Sequence, residues 1–137
     1  MTGYIADTSV LARYHLAPVR DRLDSLLSRG LVSLCSATEL EFLRSARSRR
    51  DYERLKDEFL SMFTWTAIDE RVWDQALGVL RNLVPRGHHR APSVPDLLLA
   101  VVAARARLTV LHYDRDFDTI AGVTGQATEW VVPAGSV

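Results

Sequence analysis

Short apolar runs alternate along this chain with longer stretches in which apolar residues recur at helical spacing. Tyr4-Ile5-Ala6, Leu31-Val32-Ser33-Leu34, Thr64 to Ile68, Leu108 to His112 and Glu129 to Val132 read as strands, the third because it is rich in β-formers. Helical patterns fill the intervals. One runs from Val10 to about His15, behind Asp7-Thr8-Ser9. Pro18 starts a second, in which Leu23, Leu26 and Leu27 recur and which Gly30 ends. Ser36 with Glu39 forms a capping box for a third that reaches about Ala46. Residues 51–62 predict a fourth, carrying Leu55, Phe59 and Met62. Asp69 caps a fifth that carries Val72, Trp73, Ala76, Leu77 and Leu80. Ser93 caps the most apolar helix, which reaches about Ala106, and Asp116 caps a short one that Gly122 ends. Residues 84–92, Val-Pro-Arg-Gly-His-His-Arg-Ala-Pro, read as a positively charged loop.

Strands that alternate with helices predict an α/β fold with a mainly parallel sheet. In such sheets the ligand crevice lies outside the carboxyl ends of the strands. The 137 residues predict one domain, 1–137. That length supports a real core, since a domain of roughly 150 residues buries about 70% of its unfolded surface. No internal repeat, low-complexity tract or linker interrupts it.

Charge narrows the chemistry. The formal net charge is zero, so no global basic field points to nucleic acid. Of the 17 basic residues, Lys56 is the only lysine. Lysine chemistry is nearly excluded, while bidentate arginine contacts to phosphate are well supplied. Cys35 stands alone, which rules out an intramolecular disulfide and a cysteine zinc site, and it reads as a small core residue. No run approaches the ~20 apolar residues of a membrane span, and no signal-peptide pattern is visible before Asp7, so none is expected. We expect a cytoplasmic protein.

The informative residues are acids. Asp7 ends the first strand, Asp96 opens the most apolar helix, and Asp114, with Asp116 close behind, follows the strand at Leu108 to His112. Each has a local explanation: Asp7 as an N-cap, Asp96 as the third-position acid of a capping box with Ser93, Asp114 or Asp116 as a cap. Caps need not converge, however, and these fall on one rim of the sheet. Glu41 borders the apolar arc of its helix, and periodicity alone does not choose it over Glu39. Converging acids repel one another and raise their pKa values unless a cation compensates them. Mg²⁺ or Mn²⁺ would keep them ionised and let them orient an attacking water, a combination suited to phosphodiester hydrolysis. His15, His88, His89 and His112 form no metal motif. His88 and His89, with Arg86 and Arg90, form either a solvated loop or a phosphate contact at the crevice mouth. Arg44, Arg47, Arg49 and Arg50 form a second basic group at a helix end, where the dipole favours positive charge.

Four segments in order carry a family resemblance. They are Ile5-Ala6-Asp7-Thr8-Ser9, Thr38-Glu39-Leu40-Glu41, Val94-Pro95-Asp96-Leu97-Leu98-Leu99-Ala100, and Leu111-His112-Tyr113-Asp114-Arg115-Asp116-Phe117. They resemble the PIN-domain ribonucleases and, more narrowly, the VapC-type toxins of bacterial toxin–antitoxin pairs, over nearly the whole chain. The resemblance implies a three-layer α/β/α sandwich and a Mg²⁺- or Mn²⁺-dependent endoribonuclease acting on structured RNA such as tRNA or ribosomal RNA. It also implies a homodimer and a cognate VapB-like antitoxin that blocks the site. It favours Glu41 as the second acid, places the last at Asp114 with Asp116 as adjunct, and gives Ser9 as the small hydroxyl. One departure is His112, where the family often carries a small hydroxyl residue.

The expected catalytic set is therefore Asp7, Glu41, Asp96, Asp114 and Asp116. Asp7 and Asp96 hold the principal metal. Glu41 and Asp114 complete the pocket, through water or a second cation. Two other readings stay open. In one the acids are only caps and the chain is a non-catalytic partner-binding module. In the other Asp7 is the nucleophile of an aspartate-based phosphatase, which normally needs a partner lysine.

Overall fold

The computed structural model describes residues 3–137. Five strands, β1 (Tyr4–Ala6), β2 (Val32–Leu34), β3 (Thr64–Trp65), β4 (Thr109–His112) and β5 (Thr128–Trp130), form one parallel sheet in the order β3-β2-β1-β4-β5. The helices are α1 (Thr8–Leu11), α2 (Ala17–Leu27), α3 (Ser36–Leu43), α4 (Arg49–Arg54), α5 (Val72–Leu83), α6 (Val94–Ala106) and α7 (Asp116–Thr124).

The central strands β1, β2 and β4 are buried on both faces, while the edge strand β3 is exposed and β5 is half-buried. Ile5 and Val110 point into one core with α5, α6 and α7, while their neighbours Ala6 and Leu111 point into another with α1 and α2. The result is a three-layer α/β/α sandwich. Helix α6 is buried at every position from Leu97 to Ala103 and packs on α3, α5, α7, β1 and β4. Its sequence is apolar all round for that reason. Among the described residues, no helix is long and apolar enough to cross a membrane.

Topology places the crevice. Strands β2 and β3 lie on one side of β1, and β4 and β5 on the other. The winding therefore reverses between β1 and β4, the switch point at which ligands bind in open α/β sheets. Asp7 follows β1, Asp114 follows β4, and α6 begins on the same rim because it runs back antiparallel to the strands.

Several elements differ from expectation. Helix α1 stops at Leu11 and tighter turns carry the chain through Leu16, whose N–H bonds to the Arg13 carbonyl. Cys35, in extended conformation, caps α3, so Ser36 is its first helical residue and the Ser36–Glu39 capping box does not form. Glu39 accepts from Lys56 instead. The helix expected over 51–62 starts at Arg49 behind a Ser48 cap, then widens into a π turn (Leu55–Phe59) and tightens into a 3₁₀ turn (Leu60–Met62). The change of pitch re-phases its apolar residues. Leu55, Phe59, Leu60 and Phe63 meet the core while Met62 is exposed. Strand β3 ends at Trp65 rather than Ile68, as a short edge strand, and β5 lies at 128–130 rather than 129–132. Asp69 accepts from the Arg71 N–H ahead of α5 instead of capping it directly. Asp116 is the first residue of α7, not its cap, and Gly125 in the left-handed region (φ 71°) ends that helix, not Gly122.

Candidate metal centre

Each central acid is positioned by the end of an element. The sheet ladder carries Asp7 to the rim, its N–H bonding to the Leu111 carbonyl at 2.9 Å. Its Oδ2 accepts from the Ser9 N–H at 3.0 Å, the N-cap bond of α1. Asp96 closes a capping box: its N–H donates to Ser93 Oγ at 3.2 Å and its Oδ2 accepts the Ser93 N–H at 3.0 Å. Asp114 Oδ1 accepts the Asp116 N–H at 2.9 Å. Each of the three accepts a local N–H on one carboxylate oxygen.

These caps converge. One carboxylate oxygen from each of Asp7, Asp96 and Asp114 lies within 4.8 Å of the others. Asp7 and Asp96 are buried, 4% and 6% exposed. Among the described residues, none of the ion pairs involves any of the three. Burial raises the pKa of Asp7, against hydrogen bonds from Ser9, and the Glu41 charge adds to the rise. Burial pushes Asp96 up to about 6, helped by the charges of Asp7 and Asp114 and opposed by Ser93. Three oxygen donors without a counter-charge match what a hard divalent cation takes, and do not match a soft metal that needs sulfur or imidazole. Asp7, Asp96 and Asp114 thus fit a hard divalent cation.

The two remaining acids stand outside that triangle. Glu41 is half-buried on α3 and is felt by Asp7. It lines a groove of about 600 Å³ with Thr8, Leu11, Phe42, Leu55 and Phe59. Glu39, the other acid that periodicity left open, accepts a hydrogen bond from Lys56. Asp116 is half-buried behind Asp114, its pKa raised by burial and then by the Asp114 charge.

The basic groups are peripheral. Arg86, His88 and Arg90 are exposed, and His89 is half-buried with an unpartnered Nδ1. Arg44 caps the end of α3, where the dipole favours it, but Arg49 and Arg50 open α4, the unfavourable end. Ion pairing with Glu53 compensates Arg49.

Two contacts and one cavity have no periodic signature. Ser9 Oγ accepts the Tyr113 N–H at 2.9 Å, stitching the Asp7 turn to the Asp114 turn. His112 Nδ1 accepts the Asp114 N–H at 3.1 Å. A side-chain acceptor two residues before a loop N–H is the signal that could have found the second. The groove between α1, α3 and α4 depends on the π turn, which no spacing rule forecasts.

Comparison with known proteins places the chain in a family. The PIN domain family model matches residues 4–123. Ribonuclease VapC21 of Mycobacterium tuberculosis is 41% identical over 135 residues, covering 98% of each chain. Among solved structures, VapBC2 from Rickettsia felis, bound to a DNA fragment from its promoter, superposes with a TM-score of 0.75 at 16% identity, over 92% of this chain and 96% of that one. A toxin–antitoxin complex from Klebsiella pneumoniae gives 0.73 at 15% identity, over 95% and 98%. The structural likenesses bear on the fold, and the family match and the 41% relative bear on descent. With its acids on the rim of a doubly wound parallel sheet, this chain belongs to the PIN-domain family, among the VapC-type ribonucleases.

Proposed function

We propose that the chain, acting as one domain, is a Mg²⁺- or Mn²⁺-dependent endoribonuclease and the toxin of a type II toxin–antitoxin pair in the cytoplasm. The observation that carries this reading is the meeting of the Asp7, Asp96 and Asp114 oxygens within 4.8 Å, without a paired cationic side chain among the described residues. Asp7 and Asp96 would hold the principal ion, with Asp114 beside them. When bound, such an ion lowers the pKa of a water and offsets charge building on the phosphate. Glu41, free of the Lys56 contact that holds Glu39, is the acid available to orient the water. Asp116 holds the Asp114 carboxylate through its N–H.

The name ribonuclease carried by the 41% relative supports RNA as substrate, and tRNA or ribosomal RNA is the structured class we favour. Arg86 and Arg90, exposed ahead of α6, suit phosphate contacts. The groove beside Glu41, walled by Leu11, Phe42, Leu55 and Phe59, would accept an apolar antitoxin segment that blocks the site. Leu40, Trp73, Leu77 and Val94 are all more than half exposed. Leu40 and Trp73 share one cavity with Pro95, Leu77 is one turn beyond Trp73, and a second copy of the chain would cover this face. The phosphatase alternative loses ground because Lys56, the sole lysine, is paired with Glu39 rather than Asp7.

Incubation with structured RNA tests the reading. Cleavage is expected in Mn²⁺ and not in EDTA. Asp7→Asn should lose at least about a hundredfold in rate, since a metal's charge stabilisation is worth several kcal/mol. Full metal-dependent cleavage by folded Asp7→Asn would overturn the assignment.

A further inference from the structure

The turn after β4 is held by three hydrogen bonds to side chains. The Tyr113 N–H donates to Ser9 Oγ, the Asp114 N–H to His112 Nδ1, and the Asp116 N–H to Asp114 Oδ1. Ser9 and Asp114 already belong to the site. His112 is the remaining anchor, and its environment is unusual for an imidazole.

His112 is the last residue of β4 and is 0% exposed. Its ring centroid lies 5.1 Å from that of Phe117 and 5.0 Å from that of Trp130. Because Nδ1 accepts a hydrogen bond, the ring carries its proton on Nε2. That Nε2 is enclosed without a partner. A buried, unpaired N–H is destabilising. Packing alone would be served better by phenylalanine, which fills an aromatic pocket without an orphaned donor. The imidazole is therefore explained by Nδ1. This atom sits at the same step along the side chain as the amide oxygen of asparagine, the acceptor that forms turns with the N–H two residues on.

We propose that His112 is a positioning residue of the metal centre. By accepting the Asp114 N–H at Nδ1, it sets the turn that delivers the Asp114 carboxylate to Asp7 and Asp96. This rests on the metal reading above.

Two variants separate the acceptor from the packing, with Mn²⁺ titration calorimetry and thermal melting as readouts. His112→Phe keeps the ring and removes the acceptor. Its Mn²⁺ affinity should fall about tenfold or more, the usual effect of losing a group that orients a ligand, with a Tm at or above that of the parent chain. His112→Asn keeps the acceptor and removes the ring. Its Mn²⁺ affinity should stay near that of the parent while its Tm drops. Parental Mn²⁺ affinity in His112→Phe, or equal weakening in both variants, would overturn the proposal. If His112→Phe does not fold, nitrogen NMR of the parent imidazole decides: an unprotonated Nδ1 coupled to the Asp114 amide supports the proposal, and a protonated Nδ1 defeats it. A parent chain that binds no Mn²⁺ sinks the metal reading and this inference together, whereas a binding parent with an unaffected His112→Phe sinks this inference alone.

Discussion

Asp7, Asp96 and Asp114 each do two things at once. One oxygen caps or closes a turn, and the carboxylate as a whole meets two others. The cap and the ligand are thus compatible roles for one side chain, and the local explanation of each acid does not weaken the collective one. Their cost appears in the protonation of Asp96, whose pKa is pushed from the ordinary 3.8 to about 6. Between those values the native chain binds a proton that the unfolded chain has lost, so stability falls as pH rises through the interval. For this group the loss is roughly 3 kcal/mol in all. Asp7 acts in the same direction, while His112, its pKa lowered by burial, acts in the opposite one. Comparison of Asp96→Asn with the parent isolates the aspartate. In cation-free buffer the variant should become progressively more stable than the parent between pH 4 and 7, read by urea denaturation at each pH. A difference that does not change with pH would contradict the burial of an uncompensated charge.

At the scale of elements, short apolar runs mark β1, β2 and β4, because a strand buried on both faces has no polar alternation to disguise it, whereas the edge strands β3 and β5, exposed and half-buried, lie at bounds shifted from those expected. Helix α6 was equally plain: Ser93 and Asp96 form the expected capping box, Pro95 lies in the first turn, and its apolar composition matches its burial. The same motif misled at Ser36, where the helix begins one residue too early for Ser36 to cap it and Glu39 finds a lysine instead. Only tertiary contact distinguishes the two cases. The π turn at Leu55–Phe59 was illegible for a related reason. There Phe59 packs against Phe63, four residues on, and against Tyr14 and Phe42, which lie far away in sequence, with ring centroids 4.9–5.7 Å apart. Of the site, four acidic segments were visible in order, but which acids touch was not, since β1, β4 and α6 meet only through the sheet. Ser93→Ala removes the acceptor for the Asp96 N–H and should cost about 1 kcal/mol in urea denaturation. An unchanged unfolding midpoint would mean that the cap does not hold the start of α6.

For the whole molecule, the parallel order β3-β2-β1-β4-β5 puts the acids at the switch point. The exposed face of Leu40, Trp73, Leu77 and Val94 should pair two copies. Light scattering on the purified chain should give twice its mass, and Leu77→Glu should halve that value. A monomeric parent at micromolar concentration would rule out this interface. Three carboxylates from distant segments are expected to hold one divalent cation. Anomalous scattering from crystals soaked in Mn²⁺ checks this. The expected result is a peak bounded by Asp7, Asp96 and Asp114, roughly 2 Å from carboxylate oxygens. Saturating Mn²⁺ with no peak between those three residues would contradict it.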